Sequence, residues 1–175
     1  MEIMLDTLNE ILGKRADKEL SDRIKEILTE EEDVRGAYDL IINNYGPDKN
    51  IASVHLELPD VMTVEEVDQL ARRVEARVYK ETGVALTGIG VYSYNTKDKK
   101  ASEIREAISR KVMSHNWALQ MHGFHCDTAE KKIRFDVVFS FDIETKEGLP
   151  ILYSEVCEMY PDYQVIITPD LDLTD

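Results

Sequence analysis

The sequence predicts an α+β fold of two tandem αββαβ modules, each an antiparallel sheet with helices on one face. Three observations carry this expectation. Two stretches, 51–58 and 132–142, alternate apolar and polar residues with a period of two, as half-buried strands do. Several others repeat apolar residues every three or four positions, as amphipathic helices do. The order helix, strand, strand, helix, strand then occurs twice, on either side of the polar, lysine-rich stretch Asn95 to Lys100.

The first module opens with Asp17, a candidate cap for a helix whose stripe is Leu20, Ile24, Ile27 and Leu28. The acidic run Glu30 to Asp33 closes it. Strands are expected at 34–43 and 51–58, joined by a loop containing Gly46, Pro47 and Asp48. On the second strand Ala52, Val54, Leu56 and Leu58 share one face, and Ser53, His55 and Glu57 share the other. Thr63 and Glu66 have capping-box spacing ahead of Val67, Leu70, Ala71, Val74 and Val78. Gly83 ends that helix. A third strand is expected at 85–94, where Gly88 and Gly90 signal a bulge or a close backbone approach.

In the second module Ser102 is the expected cap of a helix with Ile104, Ala107, Ile108 and Val112 inward. Strands are expected next at 117–126 and 132–142. The latter places Ile133, Phe135, Val137, Phe139 and Phe141 on one face, with Arg134, Asp136, Ser140 and Asp142 on the other. Pro150 suits the first turn of the next helix, whose expected stripe is Leu149, Leu152, Tyr153, Val156 and Tyr160. A last strand is expected at 163–168. Ahead of both modules, residues 1–13 carry Ile3, Met4, Leu5, Leu8, Ile11 and Leu12 at helical spacing.

Composition narrows the partners. The 175 residues include 35 acidic and 21 basic ones, a formal net charge of -14. Such a surface repels nucleic-acid phosphates and anionic lipid, and it favours cations. Cys126 and Cys157 form no Cys-x-x-Cys pair, and two cysteines make no secreted disulfide framework, so a reducing compartment fits. No run reaches the roughly 18 apolar residues that span a bilayer. No acid–base pair, phosphate loop or activated nucleophile marks an enzyme. Cys126 lacks an evident activating base.

Metal ligation is the chemistry the residues suggest. His55 stands on a polar strand face beside Glu57. His115, His122, His125, Cys126 and Asp127 form a second cluster, with Asp136 on the neighbouring strand as a further donor. Alternation puts His122 and Cys126 on one face and His125 on the other. The terminal carboxylates Asp170, Asp172 and Asp175 read as a solvated acidic end, and Trp117 as packing.

The order and spacing of several short motifs resemble the cytoplasmic C-terminal domain of the cation diffusion facilitator family of metal transporters. They are Leu12-Gly13-Lys14-Arg15-Ala16-Asp17, Gly36-Ala37-Tyr38-Asp39-Leu40, Asn44-Tyr45-Gly46-Pro47, Ser53-Val54-His55-Leu56-Glu57-Leu58-Pro59 and Met62-Thr63-Val64-Glu65-Glu66. The resemblance covers about residues 5–94 and implies a ferredoxin-like αββαβ domain. It implies a homodimer that binds a divalent cation near its interface and thereby favours transport. Zinc is the first expectation; manganese or iron would suit oxygen donors. His55 falls at a ligand position of that family and Asp68 near another. Tyr38 stands where some members have a histidine, and the third strand offers no matching ligand. The family's transport ligands lie in membrane helices that this sequence does not contain.

These readings give an expected organisation. Residues 1–16 are an amphipathic lead-in after a missing membrane region, 17–95 the ferredoxin-like domain, and 101–175 a second αββαβ module. The expected function is a soluble regulatory and dimerisation domain at the cytoplasmic face of the cell membrane, coupled to its transporter's own transmembrane domain. The expected metal ligands are His55, Asp68, His122, His125 and Asp136. The alternative is a ferredoxin-like regulatory module that binds a small molecule, without metal, at a sheet edge or module interface.

Overall fold

The computed structural model describes residues 18–46 and 49–170. The expected helix over 1–13, the Asp17 cap, part of the first hairpin loop and the acidic end past Asp170 lie outside them. The elements run α1 (Lys18–Thr29), β1 (Gly36–Asn44), β2 (Asn50–Pro59), α2 (Val64–Thr82) and β3 (Ala85–Tyr94). The order then repeats as α3 (Lys99–Val112), β4 (Ala118–Asp127), β5 (Lys132–Phe139), α4 (Thr145–Met159) and β6 (Gln164–Asp170). Each set of three strands forms its own sheet, ordered β1-β2-β3 and β4-β5-β6. The fold is thus α+β with two ferredoxin-like modules.

Two compact units result. One comprises 18–56 with 63–90; the other comprises 57–62 with 91–170, so the far ends of β2 and β3 go with the second. In the first unit, the stripe Ile24, Ile27 and Leu28 of α1 is fully buried, as are Val74 and Val78 of α2. Ala52, Val54 and Leu56 supply the inward face of β2, each at most 2% exposed. Each such large side chain contributes about 1.5–3 kcal/mol by leaving water.

The helix ends follow local rules. Thr63 caps α2 by accepting from the Glu66 N–H, while the Glu66 carboxylate accepts from the Thr63 N–H at 2.7 Å. That backbone bond holds the Glu66 carboxyl below its usual range. Across the surface of α1 and α2, Arg23 pairs with Glu26 and Glu81, and Arg77 with Glu30 and Glu81. These pairs are solvated and shape the helix pair more than they stabilise it.

The second unit differs from expectation in several places. β5 pairs antiparallel with β4 but parallel with β6, in register Ile133↔Val165 and Phe135↔Ile167. The sheet is therefore mixed, because a strand–helix–strand connection returns the chain in the same direction. The cap of α3 is Asp98, which accepts from the Ala101 N–H at 3.0 Å and from the Thr128 hydroxyl at 2.5 Å. Ser102 sits inside the helix, its hydroxyl donating to the Asn95 and Asp98 carbonyls. The fourth helix begins at Thr145, so Pro150 lies within it rather than in its first turn. Its buried residues are Gly148, Leu152 and Val156, whereas Tyr153 is half exposed. Ile133, Phe135 and Val137 are fully buried, but Phe141 lies past the end of β5 and is 96% exposed. Also in this unit, the buried Glu57 carboxylate accepts from Arg105 at 3.2 Å.

Both caps are open to test. Thr63→Ala removes the hydroxyl acceptor and is expected to lower stability in urea by about 1 kcal/mol, with an unchanged denaturant slope. Asp98, held below the usual carboxylate range by the Thr128 hydroxyl and then the Ala101 N–H, contributes stability that is present above the unfolded-state pKa. That contribution is lost as pH falls through the lower folded value. The stability gap between wild type and Asp98→Asn should hold near neutrality and narrow below about pH 4. A gap independent of pH would show that the charged form is not what the cap uses.

Candidate metal site

His55 projects from β2 on the face opposite Val54 and Leu56, and its side chain keeps 42% of its surface. Its Nδ1 lies 2.9 Å from Asp39 Oδ2. Asp39 reaches it because β1 is not a regular strand: Asp39 has φ 53°, in the left-handed region. Few residues other than glycine adopt that conformation, and Asp is among those that do. On β3 the backbone comes so close to the imidazole that a Cβ at Gly90 would overlap the His55 Cδ2 and Nε2 atoms. Of the two sequence readings for Gly90, close approach is the one realised. The ring is held between a carboxylate on one strand and a bare glycine on another.

Metal-ligating histidines commonly carry such a carboxylate partner. A carboxylate at one ring nitrogen fixes the tautomer and orientation, and the other nitrogen is presented as the donor. Asp39 escaped sequence reasoning. The available signal was an acidic residue inside an otherwise strand-like run, where Asp is disfavoured unless the backbone turns.

Asp68 does not join this pair. It lies on α2 and accepts from Arg72 at 2.9 and 3.2 Å. Those bonds hold its carboxyl below the usual range.

In the second unit the strand alternation expected for His122, His125 and Cys126 is broken. Gly123 has φ 60°, and β4 carries an irregularity between His122 and His125. His122 stands opposite Asp136 and His125 opposite Arg134, both on one face of β5, while Cys126 stands opposite the core residue Ile133. The extra residue at the bulge re-phases the strand. His122 and His125 therefore share a face, and Cys126 faces the core. His122 is 1% exposed, with Nε2 3.2 Å from Asp170 Oδ2. That partner came from the stretch read as a solvated end. Burial, reinforced by the Asp98 and Asp127 charges, pushes the Cys126 thiol up to about 11, which removes it as a nucleophile. His115 lies apart, stacked on Trp117 at 4.4 Å with Nε2 2.8 Å from Glu155.

The Gly90 contact yields a test by double-mutant cycle. Gly90→Ala should cost about 1–3 kcal/mol in the wild type through overpacking against the imidazole. It should cost measurably less when His55 is already alanine, since neighbours in contact do not add. Equal costs in both backgrounds would mean that the ring and Gly90 are not in contact.

Comparison with known proteins bears on the same segment. Residues 16–88 match the family model described as cation efflux protein, cytoplasmic domain. No curated protein matches the chain. Among solved structures, the nickel form of a MamM CTD variant is 20% identical over 46% of this chain and 100% of its own, with a TM-score of 0.39. A cadmium form covers 45% of this chain and 95% of its own at 20% identity, with a TM-score of 0.37. A copper form gives 46%, 98% and 20%, with a TM-score of 0.38. The segment that holds Asp39 and His55 is thus similar to the cytoplasmic domain of cation efflux proteins, and a further C-terminal module follows it.

Proposed function

We propose that this chain is the regulatory, dimer-forming cytoplasmic part of a divalent-metal efflux transporter, and that His55 is its cation-sensing ligand. The observation that carries the reading is the 2.9 Å approach of Asp39 to His55 Nδ1, within the segment that matches the cation efflux domain. Asp39 orients the imidazole, and Nε2 donates to the cation. One histidine does not complete a site, because zinc takes four donors. A two-fold pair of chains supplies each donor twice, with water or carboxylate oxygens filling the rest. Binding then draws two cytoplasmic domains together and biases the attached membrane region toward transport. Imidazole suits zinc first; manganese or iron are accommodated as oxygen donors increase.

In this reading the domain works at the cytoplasmic face of the cell membrane. Among the described residues no helix is long and apolar enough to cross a membrane. The transport step itself belongs to membrane segments outside this sequence. An acidic chain of net charge -14 raises local cation concentration around the site and resists anionic partners.

Isothermal titration with zinc, manganese and ferrous iron tests the site, and sedimentation with and without metal tests the dimer. His55→Ala should abolish the zinc-dependent heat. Asp39→Asn keeps a residue that tolerates the left-handed backbone but reverses the hydrogen-bond preference at Nδ1. It should weaken zinc binding about 10–100-fold, as loss of an orienting partner does. A His55→Ala protein that binds zinc as wild type does would remove the site. Unchanged sedimentation on saturation would remove the coupling to dimerisation.

A further inference from the structure

We propose that the second unit carries a docking groove for an extended, apolar and basic peptide segment, which adds as a strand to the edge of β6. The groove lies between α4 and β6 and encloses about 960 Å³. Its walls include Tyr153 and Cys157 from α4 and Val165, Ile166 and Ile167 from β6. Tyr153 and Ile166 remain 50% and 47% exposed.

Three features select the occupant. First, β6 is the terminal strand of its sheet; among the described residues no strand pairs with its outer edge. Every second backbone N–H and C=O of such a strand points outward, and an extended peptide is the partner with the matching repeat. The usable edge is Gln164 to Thr168, because Pro169 has no N–H to donate. Second, that five-residue run holds no charge, in a chain with 32% charged residues. Edge strands left uncovered are commonly guarded by lysine or other charges. Third, the charge at the groove is acidic: Glu158 lines it, and exposed Asp162 precedes the strand. An apolar strand carrying lysine or arginine satisfies all three features.

The same charges disfavour a second copy of this chain. In an antiparallel pairing of two β6 strands centred on Ile166, Asp162 of one copy would stand opposite Asp170 of the other. Like charges directly opposed across strands are destabilising. An apolar small molecule would fill the walls but leave the strand edge unpaired.

A fluorescein-labelled peptide of alternating valine and lysine tests the proposal against the full chain by fluorescence polarisation. A valine–glutamate peptide and a backbone N-methylated valine–lysine peptide serve as controls. Thiol labelling of Cys157 gives a second readout, since Cys126 is buried. The valine–lysine peptide should bind and slow Cys157 labelling, and the two controls should not. Glu158→Gln should weaken binding about tenfold, the size of one charge-assisted hydrogen bond, without loss of fold. Equal binding of the N-methylated peptide would overturn strand addition, and equal binding of the glutamate peptide would overturn the charge argument. Two further results would also overturn the proposal. One is protection of Cys157 by phenethylamine but not by the peptide; the other is a dimer that Ile166→Lys dissociates.

Discussion

A left-handed residue inside the first strand of each module decides which side chains share a face. Asp39 in β1 and Gly123 in β4 both take positive φ, at 53° and 60°. A strand without such a residue alternates strictly, and every second side chain is committed to the core. One left-handed residue re-phases the remainder of its strand. In the first unit it delivers a carboxylate to His55. In the second it moves His125 onto the face of His122 and sends Cys126 to the core. The polar sites are consequences of two backbone irregularities, each carried by a residue type that tolerates them.

The rest of each unit holds these strands in place. Fully buried Ile24, Ile27, Val74 and Val78 cover one side of the first sheet, and Ile133, Phe135, Val137 and Leu152 build the core of the second. Buried apolar area supplies most of the stability, and it specifies register because a one-residue slip would turn the oily face outward. The Asp39–His55 pair stabilises little by itself. Both residues stand on strands, and a sheet holds a side-chain pair more rigidly than a loop does.

Much of this was legible in the residues. The Thr63–Glu66 capping box, the helix stripes of α1 and α2 and the inward face of β2 follow from spacing alone. Four of the five short motifs lie wholly within residues 16–88, the range similar to the cation efflux cytoplasmic domain. The features that escaped detection were non-local or conformational. Asp39 lies 16 positions from His55, and only its unusual φ makes them partners. The bulge at Gly123 inverted the faces expected for His125 and Cys126. The parallel pairing of β6 depends on how a crossover returns, not on the strand's own residues. Asp68 pairs with Arg72 one helical turn away, a contact that helical spacing allows.

We propose His55, oriented by Asp39, as the cation ligand of the first unit. Nitrogen-15 spectra of the His55 imidazole during zinc titration test it most directly. Nε2 is expected to shift on zinc binding while Nδ1, beside Asp39, does not. Zinc bound at saturation with both His55 nitrogens unmoved would contradict it.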